Sequence, residues 1–121
     1  MSETKTRAKR RLLRVPVSFW KVGKPHTSYL GFTTDVSATG VFITCNSPFP
    51  TETDVEVLVH SPEAQFVLSG VVARAIRTHP SLQRAMKSGM GILFHDEENP
   101  EVKKLHQMGH VTSLSAAGLP A

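Results

Sequence analysis

Cysteine occurs once in the 121 residues, at Cys45. No disulfide can form within the chain, and such usage suits a reducing compartment. Tryptophan and tyrosine also occur once each, which leaves the core without the aromatic-rich platform on which readers of single-stranded nucleic acid stack bases. No apolar run approaches the roughly 18 residues of a membrane span. The opening segment MSETKTRAKRR has no apolar stretch behind its charges, so a secretory signal is not expected. A glycine-rich phosphate loop, a paired-carboxylate constellation and a nucleophile elbow are all missing, which leaves catalysis without a home. These absences lead to the expectation of a cytoplasmic protein that is not an enzyme and has no membrane span.

What is present is enough for one ordinary domain. Hydrophobic residues make up 40% of the chain and charged residues 20%, a balance that supports one core and argues against a disordered chain. The net charge of +4 is unevenly spread. Lys5, Arg7, Lys9, Arg10, Arg11 and Arg14 face only Glu3 in residues 1–14, a local charge of +5; the remainder is −1. A basic arm of this kind favours a polyanionic partner: a nucleotide, a nucleic acid or an acidic membrane. The lesser reading is a solvated tail that binds nothing.

Along the chain, residues 1–13 read as a flexible arm. From Arg14 the pattern becomes strand-like: Val15, Val17 and Phe19 alternate with Pro16, Ser18 and Trp20, with Pro16 suggesting a start at a sheet edge. A turn at Gly23–His26 leads to a second strand over Ser28–Thr34. Val41–Cys45 is a third, and Val55, Val57 and Val59 mark a fourth. Ser61–Ala64 makes a hairpin turn. The long fifth strand, Gln65–Arg77, has Gly70 inside it, where a bulge or bend would help close a barrel. Met90, Ile92 and Phe94 mark a sixth. Asn99 and Pro100 then suit a helix start, and Val102, Leu105 and Met108 form an apolar stripe. The expected fold is mainly β: a six-stranded antiparallel barrel with a C-terminal α-helix over residues 14–112, followed by a disordered tail, 113–121.

Two segments carry the functional signal. Arg10-Arg11-Leu12-Leu13-Arg14 stands directly before the first strand as an R-x-x-x-R pattern. Asp35-Val36-Ser37-Ala38-Thr39-Gly40 separates the second and third strands as D-x-S-x-x-G. Arg7 and Arg11 match the first pattern too, but Arg14 is the arginine that abuts the strand. The two motifs, in this order and about 20 residues apart, resemble the PilZ domain family. The Gly89–Phe94 run is similar to that family's last barrel strand.

The resemblance implies a barrel with the arginine arm folded across one opening, and cyclic di-GMP as the ligand, with no cofactor. By analogy the ligand-binding residues are Arg10, Arg11, Arg14, Asp35, Ser37 and Gly40. Arg10 and Arg14 would meet guanine edges and phosphates, Asp35 and Ser37 would hydrogen-bond from the barrel, and Gly40 would permit the turn. Binding would order the arm and signal through a partner protein, for example in motility. Elementary chemistry agrees. Guanine O6 and N7 match a guanidinium fork. An ionised aspartate suits the N–H donors of guanine's other edge. Gly40 is suited to a position where a side chain would clash or where φ is positive.

Other readings stand beside this one. Asp35 and Ser37 are common turn-capping residues. The chain could be a PilZ-like interaction module without nucleotide, or a small nucleic-acid-binding barrel using its arm. His106 and His110 are spaced like paired metal ligands but lack a clustered third ligand, so they read as surface residues and no metal is expected. Cys45 reads as a core or edge residue. Trp20 is a core residue or a partner surface. Arg74 and Arg77, near the end of the long strand, are candidates for the same basic surface.

Overall fold

The computed structural model describes residues 10–62, 65–82 and 87–108. Its elements, in chain order, are β1 (Arg11–Leu12), β2 (Pro16–Lys21), β3 (Tyr29–Val36), β4 (Gly40–Thr44), β5 (Asp54–His60), β6 (Gln65–Ile76), β7 (Gly89–Phe94) and α1 (Pro100–Met108). Strands β2 to β7 are the six that alternation predicts. On β5, Val55, Val57 and Val59 are buried while Glu56, Leu58 and His60 are partly exposed, as a period of two with one buried face requires.

All pairings are antiparallel, in the order β3-β2-β5-β6-β7-β4, and β4 pairs back onto β3. The six strands therefore form a closed barrel, which removes the unpaired edges that invite aggregation. The expected sheet edge at Pro16 is corrected by this closure, since β2 has neighbours on both sides. Proline is tolerated there because it is the first residue of the strand; it pairs with Phe32 of β3, and the β5 ladder begins only at Val17.

Inward-facing residues fill the barrel. Val17, Phe19, Val36, Val41, Ile43, Val55, Val57, Val59, Phe66, Leu68, Val72, Met90, Ile92 and Phe94 are buried in one cluster. Helix α1 adds Val102 and Leu105 to it, with Met108 packed at its margin, which is the stripe read from the sequence. Asn99 caps the helix: its Oδ1 accepts from the Glu101 N–H at 2.8 Å, so one of the unpaired first-turn donors is satisfied.

Two β-bulges interrupt the alternation. On β6 the register against β7 shifts between Val72 and Arg74. The expected irregularity at Gly70 is thus found a few residues later. Gly70 itself keeps regular partners, Val55 and Phe94, and is needed because a Cβ there would run into the Leu93 carbonyl. On β3 a second shift falls between Thr33 and Asp35.

The ladder also reaches below Arg14. Arg11 pairs with Val36 and Leu12 with Asp35, so β1 lies along the far end of β3 in line with β2. The rest of the arm, residues 1–9, and the tail, 113–121, lie outside the described residues, as do Glu63 and Ala64 of the hairpin turn.

Candidate functional site

The arm enters the barrel through one buried hydroxyl. Thr33 is 1% exposed. Its Oγ1 donates to the Leu13 carbonyl at 2.5 Å and accepts from the Val15 N–H at 2.9 Å. The Leu13 N–H bonds the Thr34 carbonyl, and the Thr33 N–H bonds the Val15 carbonyl. Backbone groups left unpaired between β1 and β2 are thereby satisfied, and Arg14 between them is turned outward. Thr33 was not among the residues read from the sequence, although its buried phase on β3, opposite the arm, is the signal that could have found it.

Alternation along β1 then separates the arginines. Arg10, Leu12 and Arg14 are exposed, whereas Arg11 and Val15 are half-buried and Leu13 is buried. Arg10 reaches Asp35, with Nε donating to Oδ1 at 2.7 Å and Nη2 lying 2.5 Å from the same oxygen. Both contacts fall on Oδ1, which leaves Oδ2 for another donor. Arg14 stacks its guanidinium over the Phe32 ring, 4.5 Å from the centroid. Arg11 goes elsewhere: its Nη1 donates to the His106 carbonyl at 3.3 Å, a favourable place for a cation near a helix C-terminus. Of the three arginines, Arg10 and Arg14 share the outer face, about 13 Å apart along the strand, and Arg11 ties the arm to α1.

Asp35 reaches the outer face because of the β3 bulge. A strict period of two from buried Thr33 would put Asp35 inside the barrel. With the bulge, Thr34 and Asp35 both face outward and Val36 returns to the core. Ser37 sits in the tight turn that follows. Its N–H bonds the Gly40 carbonyl at 2.8 Å, and its Oγ accepts from the Thr39 N–H at 3.2 Å. Ser37 is only 1% exposed, so its hydroxyl shapes the turn in the way side-chain turns do. Gly40 pairs with Leu93 of β7. A Cβ there would collide with the Ile92 carbonyl oxygen, so close approach, and not positive φ, is what the position requires.

Two adjoining hollows open on this outer face. The first, about 200 Å³, is lined by Arg10, Ser37, Gly40, Phe42, Arg74 and Gly91 among others. The second, about 590 Å³, is lined by Arg14, Leu30, Phe32, Thr34, Thr44 and Lys87 among others. Phe42 and Thr44 are successive outward residues of β4, so the hollows lie side by side. Among the described residues no carboxylate lines either of them. The sequence motifs are therefore divided: Arg10, Ser37 and Gly40 line one hollow, Arg14 lines its neighbour, and Asp35 stands beside the first in contact with Arg10.

The other candidates have structural partners. Arg77 Nη2 donates to the Pro48 carbonyl at 2.6 Å, which holds it away from the hollows. Trp20 Nε1 donates to Glu56 Oε1 at 2.8 Å on a half-buried surface. Cys45 is buried, and burial raises its thiol pKa, opposed in part by a backbone hydrogen bond from Ser47 and the charge of Arg77; such a thiol is a poor nucleophile at neutral pH. His110 lies outside the described residues. Among the described residues no group of three His, Cys, Asp or Glu side chains is placed to hold a metal, and no described helix is long and apolar enough to cross a membrane.

Comparison with known proteins gives this geometry a family. No curated protein sequence matches the chain. Among solved structures, the PilZ domain of YcgR from Escherichia coli, in a structure with c-di-GMP, is similar at a TM-score of 0.65, with 10% identity covering 92% of each chain. The Bacillus subtilis inhibitor of motility MotI/DgrA is similar at 0.63, with 16% identity over 84% of this chain and 47% of that one; this chain thus spans about half of that protein's length. The PilZ domain of CeSA from a cellulose-synthesizing bacterium is similar at 0.58, with 16% identity over 89% of this chain and 99% of that domain. These identities speak to the fold. The profile of the PilZ domain itself matches residues 5–108, from within the basic arm to the last residue of α1, and on that match the chain belongs to the PilZ domain family.

Proposed function

We propose that this chain is a cytoplasmic cyclic di-GMP receptor or adaptor that works by binding, not catalysis, and signals through an effector protein. One observation carries the reading. Arg10 and Arg14 project from the same face of the arm into two adjoining hollows that, among the described residues, are lined by cations and no carboxylate. A cyclic dinucleotide has two bases joined by two phosphodiesters, so it offers two acceptor-rich edges and two negative charges to such a surface. Arg10 and Arg14 supply guanidinium forks for guanine O6 and N7 or for phosphate oxygens. Asp35 offers Oδ2 to the N–H donors of a guanine, and its Oδ1 holds Arg10 until ligand arrives. Ser37 and Gly40 serve by holding the turn close to β7.

The energetics suit a site that ligand can reorganise. The Arg10–Asp35 pair is partly exposed, with side-chain exposures of 54% and 26%, and pairs of that kind contribute about 0.2–1 kcal/mol. Ligand can therefore draw Arg10 away at little cost. Because Arg11 of the same arm holds the C-terminal end of α1, a change in the arm bears on the helix, and the arm, ligand and α1 together would form the surface an effector reads. A structure similar in fold to this chain is an inhibitor of motility, which makes motility a natural output to test.

A second reading keeps the fold as an interaction module without nucleotide. What favours it is that Asp35 and Ser37 already have partners within the protein. Isothermal titration with cyclic di-GMP separates the two. The receptor reading expects saturable binding that Arg10→Ala and Arg14→Ala each weaken by about tenfold or more. No heat at tens of micromolar ligand, or variants equal to wild type, would reject it.

A further inference from the structure

The first hollow has a second guanidinium that neither sequence motif contains. Arg74 belongs to β6 and stands on the opposite wall from Arg10, with β3, β4 and β7 between them in the barrel. Its outward direction is built in. Val72 is buried at 1% exposure, and strict alternation from it would send Arg74 into the core. The bulge between Val72 and Arg74 exposes Ala73 and Arg74 in succession and sets Arg74 opposite Gly91.

The floor beneath it is prepared as well. Gly89 and Gly91 of β7 leave a bare strip of backbone, and the Phe42 ring lies over it: a Cβ on Gly89 would come within 2.6 Å of Phe42 Cε2. Arg74 in turn places its guanidinium carbon 5.8 Å from the centroid of that ring, within the range of a cation–π contact. The Arg74 guanidinium is thus placed beside Phe42, and both side chains line the hollow. Among the described residues no carboxylate pairs with Arg74.

A planar guanidinium fork that lines a hollow matches paired acceptors, such as two phosphate oxygens or the two acceptors on one edge of a guanine. Guanine carries two acceptors, N7 and O6, on one edge, whereas adenine has a donor at the second position. We propose that Arg74 is a specificity-determining residue that reads the O6/N7 edge of one guanine of the bound dinucleotide, with Phe42 and the Gly89/Gly91 strip as its positioning support. The assignment rests on the receptor reading above and adds to it a residue outside both motifs.

Titration of cyclic di-GMP into wild type, Arg74→Ala and Arg74→Lys tests it, with thermal melts as a fold control, since Arg74 is exposed and its loss leaves the core untouched. The expected result is a loss of affinity of about 10- to 100-fold in R74A, no more than partial recovery in R74K, and unchanged melting of both. An R74A affinity within twofold of wild type overturns the assignment while the receptor reading stands. Full recovery in R74K also overturns it, because a point charge would then suffice. A wild-type chain that takes up no cyclic di-GMP removes the receptor reading and this assignment together.

Discussion

Thr33 shows how much one side chain can do to hold the segment between β1 and β2. Its hydroxyl both donates and accepts across the gap between β1 and β2, and it is buried where water cannot substitute. Replacing it by valine keeps the shape but leaves the Leu13 carbonyl and the Val15 N–H each short of a partner. Unpaired buried groups cost about 1–3 kcal/mol. Thr33→Val is therefore expected to lower unfolding free energy by about that amount in denaturant titration, and to speed tryptic cleavage at Arg14 under native conditions. Equal stability and equal protection would mean that the arm is held by something else. The sequence marks this threonine only by its buried phase on β3; the hydroxyl's partners, 18 and 20 positions away in the chain, come from the fold.

At the scale of elements, the two bulges matter more than the strands that contain them. Six strands were legible because Val, Ile and Phe recur at every second position. The same rule, carried through Thr33 or Val72, would bury Asp35 and Arg74. In each case one extra residue turns a charged side chain outward while the buried phase resumes beyond it. A bulge has no composition of its own on β6, where glycine occupies a regular position instead, so its location follows from how β6 and β7 fit around the barrel. Deleting Ala73 removes the extra residue: Val72 stays inward, Arg74 directly after it stays outward, and Ala75 keeps its inward phase. The deletion is therefore expected to keep a cooperative melting transition, and Ala73→Ser, at an exposed position, to melt like wild type. A deletion variant that fails to melt cooperatively would show that the barrel needs the bulge itself to close.

For the whole molecule, charge and shape act together. The segment 1–14 holds a net +5 on a chain of +4, and cations, Arg10 and Arg14 of that segment among them, line both hollows. Attraction of a dianion to such a surface is screened by salt. Cyclic di-GMP affinity is expected to fall by about tenfold between about 50 and about 500 mM NaCl; an affinity that does not change with salt would argue that the arm takes no part. The sequence by itself determined the six strands, the capped helix and its apolar stripe, and the two motifs, because these depend on neighbours along the chain. Tertiary structure alone decided that Arg11 turns to α1, that Arg10 and Arg14 open onto separate hollows, and that Arg74 joins the first while Arg77 does not. Those outcomes depend on barrel closure and on strand register, which bring residues far apart in the chain within reach of one another, and no local pattern specifies them.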